Sequence, residues 1–330
     1  MTLMKSGIIG RASGLIFLAA ILFSCKKESY TLLDPAGAGI WSHYTTGLPG
    51  NQVRGITLDH QGLMWVAFSG AGIASYDGDS FTPYNISNSQ ILSNGVTCLD
   101  VRTNGDLYIG TTDGISVRTT DGSWLYYQDP VNILYIYAIK CKANGTVVAG
   151  TSGYGFLTYD GTNIYQYYDV SYKNVKAIEE DISGNTWLGT DNGLFKWTGS
   201  GFTHYTTANG LPTNNITSLL YDSKSRLWIG GYGGTAVAWI DAGGQLHTQS
   251  LFTGSADLYM KDIYEDQRGH IWFATWYDGL IEFDGVVPHS YKVYNGFPEN
   301  DVNAAGQDKD GNMWFGLYSM GLERYTIPIQ

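Results

Sequence analysis

The stretch Gly184-Asn-Thr-Trp-Leu-Gly-Thr-Asp-Asn-Gly-Leu-Phe-Lys-Trp197 recurs in variant form along the whole chain. A recurring unit constrains architecture more tightly than any isolated motif. Its outline is a turn glycine, an aromatic-centred apolar run, a second glycine, a short polar loop, a third glycine and another apolar run. Counterparts of Trp187 are Trp65, Tyr108, Val148, Trp228, Trp272 and Trp314. Along the chain these positions are 43, 40, 39, 41, 44 and 42 residues apart. A period near forty residues with several short apolar runs per unit is the mark of a β-propeller, whose sheets stack side by side.

Each unit predicts four strands. A first strand of the type 53–58 leads through an Asp-x-x-Gly turn (Asp59 to Gly62, Asp181 to Gly184, Asp266 to Gly269) into the Trp strand. A glycine-containing loop leads to a third strand, as at 73–76, 194–197 and 280–283. An Asp-Gly turn (Asp77-Gly78, Asp160-Gly161, Asp284-Gly285) then leads to an outer strand ending in Tyr84, Tyr127, Tyr167, Tyr205 or Tyr294. Glycine at 43 of 330 residues and only 15% charged residues fit short strands and tight turns. The last unit stops at Gly321-Leu-Glu-Arg-Tyr325 with no outer strand behind it, and Trp41-Ser-His-Tyr44 near the start reads like Phe202-Thr-His-Tyr205. The expectation is an all-β, seven-bladed propeller of four-stranded antiparallel blades. The N-terminal strand, residues 40–45, pairs onto the last blade and closes the ring.

Residues 1–24 read as a secretory signal, with Lys5 and Arg11 ahead of the apolar run Leu15-Ile-Phe-Leu-Ala-Ala-Ile-Leu-Phe23. Leu22-Phe23-Ser24-Cys25 resembles a bacterial lipobox. That resemblance implies cleavage after Ser24 and a lipid on Cys25, whose buried acyl chains would anchor the protein to a membrane. An ordinary signal peptide with a chance cysteine is the other reading. Lys26-Lys27-Glu28 partly resembles the surface-export signal of Bacteroidetes-type lipoproteins. Residues 25–39 are then a tether, residues 40–330 the propeller, and the outer membrane the expected address, on its periplasmic or surface face. From Cys25 onward 17 cationic residues face 30 acidic ones, which disfavours a nucleic-acid partner. Cys98 and Cys141 lie in apolar runs at different offsets of adjacent repeats, so free core thiols are expected rather than a disulfide.

The pattern seen in Leu227-Trp-Ile-Gly230, Trp187-Leu-Gly-Thr190 and Asn209-Gly-Leu-Pro-Thr-Asn-Asn-Ile216 resembles the two-component-regulator propeller repeat over about residues 40–330. In that family such repeats form the periplasmic sensors of hybrid histidine kinases, many of which respond to glycans. The sequence as written ends at Gln330 without a kinase, so a stand-alone lipoprotein is expected.

The loops after the Trp strands gather Tyr154, Tyr232, Trp276, Tyr277, Asp278 and Tyr318 at one rim of the expected channel, and entering loops add Tyr135, Tyr137, Tyr172, Asn174, Asn214, Asn215, Tyr259, Glu299 and Asn300. Aromatic faces beside amides and carboxylates suit a sugar or another small ligand. Packing of the loops by the same aromatics is the competing reading. Arg54, Lys176 and Lys261 share one position of the first strand, with Thr97, Tyr137, Thr217 and Asn303 at its counterparts; the next position is small except at Asp262. These cations either hold a carboxylate or sulfate ligand or pair with acids such as Glu179, Glu265 or Asp262.

The histidines, at 43, 60, 204, 247, 270 and 289, fall on outer strands or far-side turns, and no metal-ligand spacing or catalytic set is visible. No cofactor is implied. The expected function is a non-catalytic, sensor-like binding protein for a glycan or small ligand. An interaction scaffold for another envelope protein is one alternative. A propeller lyase or glycoside hydrolase is the other, because the repeats of streptogramin lyases resemble Gly269-His-Ile-Trp-Phe-Ala274 in outline.

Overall fold

The protein is described here by a computed structural model covering residues 39–129, 134–234, 236–251 and 258–326, with the backbone of short strand pieces at 2–3, 10–11 and 27–30. Apart from those pieces, the expected signal segment, Cys25 and the tether lie outside the described residues. The fold is all-β, built of antiparallel sheets in which most neighbouring strands are consecutive in the chain. Val53–Leu58, Met64–Phe68, Gly72–Tyr76 and Phe81–Tyr84 form one such four-stranded sheet; Val175–Glu180, Thr186–Thr190, Gly193–Trp197 and Phe202–Tyr205 form another. The first strand of each sheet packs against first strands of neighbouring sheets.

Two features of the repeat explain this regularity. The turn aspartate accepts from backbone N–H groups two and four residues on, as Asp222 does from Lys224 and Arg226. Its second oxygen accepts from the indole N–H of the Trp six residues on. The pairs Asp59–Trp65, Asp181–Trp187, Asp222–Trp228, Asp266–Trp272 and Asp308–Trp314 lie at 2.8 to 3.0 Å. Each bond lets a buried tryptophan keep a partner for its one polar atom. The turn ends on a left-handed residue, Gly184 at φ 76° or, unusually, Ser225 at φ 60°. The glycine two residues after the Trp serves a different need: a Cβ on Gly189, Gly230 or Gly316 would collide with Ile216, Met260 or Val53 of a neighbouring first strand.

Ile40–Tyr44 pairs antiparallel with Leu322–Thr326, matching the expected partner of the N-terminal strand, and Lys27–Tyr30 runs outside it as a further strand. Trp41 fills the core there, among Tyr291, Phe297, Phe315 and Tyr325. Two expectations need correction. The outer strand expected to end at Tyr294 is Pro288–Tyr291; Tyr291 is buried, whereas Tyr294 sits exposed in a 3₁₀ turn. The expected loop at 231–234 instead continues strand Leu227–Gly234, where Tyr232 pairs with Tyr259 of strand Leu258–Glu265. Cys98 and Cys141 are free thiols; burial pushes the Cys98 thiol up to about 12.

Candidate functional site

The first strands share an irregularity. Val53 pairs with Phe68 and Gly55 with Ala67, leaving Arg54 between them without a partner. The same bulge falls at Thr97, Tyr137, Lys176, Thr217, Lys261 and Asn303. A bulge re-aims the side chain it carries. All of these residues line one cavity of about 780 Å³. The repeat position singled out by its three cations is therefore the bulge position.

The short polar bulge residues tie sheet to sheet. Thr97 Oγ1 donates to the Ile136 carbonyl and Thr217 Oγ1 to the Met260 carbonyl, each at 2.6 Å; Asn303 Nδ2 donates to the Val53 carbonyl at 2.8 Å. Each acceptor immediately precedes another sheet's bulge.

The cations behave differently. Lys176 Nζ donates to Asn215 Oδ1 at 2.7 Å. Lys261 Nζ lies 4.7 Å from the centroids of both the Tyr259 and Trp276 rings. Among the described residues, neither Arg54 nor Lys261 has a hydrogen bond or an acid partner. Burial, and secondarily the charge of Arg54, lowers the Lys261 ammonium to about 8. Burial also lowers Lys176.

Pairing of these cations with Glu179, Glu265 or Asp262 does not occur, because those acids have other partners. Glu179 meets Lys140 at 2.5 Å, Glu265 accepts from Ser223, and Asp262 accepts the backbone N–H groups of Ile263 and Ala305. Asp100 likewise accepts from Val101 and Cys141 N–H. Asp100, Lys140 and Glu179 line the cavity three residues beyond the bulges at Thr97, Tyr137 and Lys176. The sequence reading did not gather this inner group. The signal that finds it is that fixed three-residue offset along the first strand. Burial pushes the Asp262 carboxyl up to about 7.

The expected rim is only partly assembled. Tyr232 and Trp276 line the cavity together with Tyr135, Tyr137 and Tyr259. Trp276 Nε1 donates to Asn303 Oδ1 at 2.8 Å, so its ring is fixed between the bulge layer and the outer tyrosines. Tyr277 and Tyr318 do not line the cavity; their rings stand edge-on to Trp276, with centroids 6.0 and 5.4 Å away, and are 65% and 38% exposed. Two expected rim residues point elsewhere. Tyr154 packs against the apolar cluster of Ile136 and Leu157. Asp278 is buried and ion-paired with Lys292 at 3.1 Å, because Tyr277 takes a left-handed turn at φ 74°.

None of the histidines lines the cavity. Elsewhere Asp266, His270 and Glu282 bring ligand atoms within 4.8 Å of one another. The Arg268 guanidinium already bridges that group, 2.6 Å from Asp266 and 2.7 Å from Glu282, so it reads as an ion-pair network. No helix among the described residues is long and apolar enough to cross a membrane.

Residues 47–70, 210–233, 254–277 and 296–319 match the sequence model of the two component regulator propeller. No curated protein matches the chain. Among solved structures it is similar to a streptogramin B lyase (17% identity, 94% of this chain and 100% of that one, TM-score 0.72). It is also similar to the extracellular domain of the putative hybrid two component system BT3049 from B. thetaiotaomicron (19% identity, 85% of this chain, TM-score 0.70). A third likeness is to the extracellular domain of the putative one component system BT4673 from the same organism (21% identity, 86% of this chain, TM-score 0.70). The chain spans 40% of each of those two structures. At such identities the likeness concerns the fold, which is that of a propeller. At the four matched segments, the chain is built of two-component regulator propeller repeats.

Proposed function

We propose that this chain is an exported, non-catalytic, sensor-like propeller that binds a glycan or another small ligand in the mouth of its central cavity. The observation that carries the reading is that Arg54 and Lys261, without acid partners among the described residues, line one open cavity, with Lys261 beside the Tyr259 and Trp276 rings. Aromatic faces stack on the C–H face of a sugar, and fixed polar groups orient it. The ring is proposed to have seven blades closed by the N-terminal strand. Pairing of Ile40–Tyr44 with Leu322–Thr326 supports this, as does packing of the last first strand, Val302–Gln307, on Val53–Leu58. Export and lipid anchoring through Cys25 on the outer membrane rest on the lipobox-like Leu22-Phe23-Ser24-Cys25. The extracellular placement of two similar structures agrees with export.

A glycan array probed with the purified protein and with Trp276→Ala tests the binding reading. Binding to at least one oligosaccharide, lost in the variant, is expected; silence across the array would reject it. Intact-mass analysis of the membrane fraction tests the anchor, which requires acyl mass on a chain beginning at Cys25.

A second reading follows from the exposure of Tyr277 and Tyr318. These rings suit docking of another envelope protein on the same face. A cross-linked partner that disappears in a Tyr277→Ala, Tyr318→Ala double variant would favour it over a glycan.

A further inference from the structure

Resting on the ligand-binding reading above, we infer that the ligand is an acidic sugar, and that its carboxylate or sulfate seats at Arg54 and Lys261 while its ring lies against Trp276.

Most charged side chains around the cavity already have partners. Of the neutral donors in the bulge layer, Thr97, Thr217 and Asn303 are committed, each bonding a backbone carbonyl of a neighbouring first strand. The carboxylates of the wall are committed too. Asp100 and Asp262 hold backbone N–H groups, and Glu179 holds Lys140. Lys176 is bonded to the neutral amide of Asn215. Among the charged side chains of the cavity wall, what remains are Arg54 and Lys261.

A partly buried cation without a counter-ion is costly, and the charge of Arg54 bears directly on Lys261. An anion placed against both relieves that repulsion, and a guanidinium fork is shaped to take two oxygens of one carboxylate or sulfate. A neutral sugar would leave the cost in place. The Tyr259 and Trp276 rings already hold the ammonium from two sides, so it is positioned rather than free to swing into bulk water. Since the chain as a whole is acidic, this cationic mouth is a local exception rather than an overall field.

The test measures binding of the purified protein to matched pairs: oligogalacturonate against its methyl ester, and a sulfated against an unsulfated galactan oligosaccharide of equal length. Inorganic sulfate serves as a separate probe. Tighter binding of the acidic member by about tenfold or more is expected in at least one pair, weakening as salt is raised. Arg54→Gln and Lys261→Met should each reduce that ratio toward one, while Lys261→Arg should retain it. Thermal melts on every variant show that the comparison is made between folded proteins. Equal binding of neutral and acidic members overturns this inference but leaves the ligand-binding reading standing. Sulfate competing as well as the best oligosaccharide overturns the sugar part. No binding to any oligosaccharide overturns both readings together.

Discussion

Asn303 Nδ2 donates to the carbonyl of Val53 at 2.8 Å, joining residues 250 positions apart in sequence. The same side chain accepts the indole N–H of Trp276 through Oδ1. One amide thus ties two ends of the chain together and fixes a ring in the cavity wall. Asn303→Ala should destabilise the protein by about 1–3 kcal/mol, because a buried carbonyl and an indole N–H both lose their partner. It should also weaken any ligand that needs Trp276 held in place. Urea unfolding and a binding isotherm on the same preparation separate the two effects.

Residues 40–46 should be indispensable. Ile40–Tyr44 supplies a full strand to Leu322–Thr326, and Trp41 is wholly buried against four other aromatic rings. Removing residues 40–46 exposes an unpaired edge and opens the core, a loss of several kcal/mol that rivals the whole stability of a typical domain. A truncated chain that melts at the full-length temperature would refute the closure.

Asp262 should give stability a characteristic dependence on pH. Its carboxyl is raised from 3.8 to about 7 by burial. A raised acid binds its proton more tightly in the folded state, so its contribution is complete below the unfolded value and is lost as pH climbs to the folded one. Stability should therefore fall between about pH 4 and pH 7 and level off above that range. Asp262→Asn removes this component of the slope, although its single amide oxygen leaves one of the Ile263 and Ala305 N–H groups without an acceptor. Unfolding free energies of both proteins across that range provide the comparison.

Ala149 should tolerate enlargement. An apolar crevice of about 70 Å³ lies between Tyr108, Ile115, Val117 and Leu125 on one side and Ala149, Leu157 and Ile164 on the other. The repeat places Leu188, Phe273 or Phe315 at the position that Ala149 occupies. Ala149→Leu is expected to stabilise by about 1–2 kcal/mol through added apolar burial, read as a rise in the unfolding midpoint at constant m-value. A drop would mean that the crevice cannot accept a branched side chain.

Much of the fold was legible because a propeller repeats its physics. The turn glycine Gly184 and the strand Thr186–Thr190 that carries Trp187 are needed wherever a sheet must turn and stack, so their period survives in the sequence. The bond from Trp228 to Asp222 lay in plain view as a fixed six-residue spacing, yet its meaning emerged only when side-chain directions were known.

The site was less legible. Arg54, Lys176 and Lys261 could be aligned, but alignment does not show that a bulge turns them into one cavity. Tyr154 and Asp278 sit in the same loops as their counterparts and face away. Their directions depend on local backbone turns and on partners such as Lys292, which belong to other elements. The nearby acids looked like natural partners for the lysines, but Lys140 holds Glu179, Ser223 holds Glu265, and the Ala305 N–H holds Asp262.

The bulge has an evolutionary consequence. Because Arg54 and its counterparts stand outside the strand ladder, exchanging one of them leaves every pairing on either side in register. Where the bulge side chain makes no bond to a neighbouring strand, as at Arg54 and Lys261, it is a letter that can be rewritten without respelling the scaffold. Substitution at a few such letters is enough to generate many distinct chemistries on one unchanged frame. A lineage built this way can change what lines its cavity by point mutation alone.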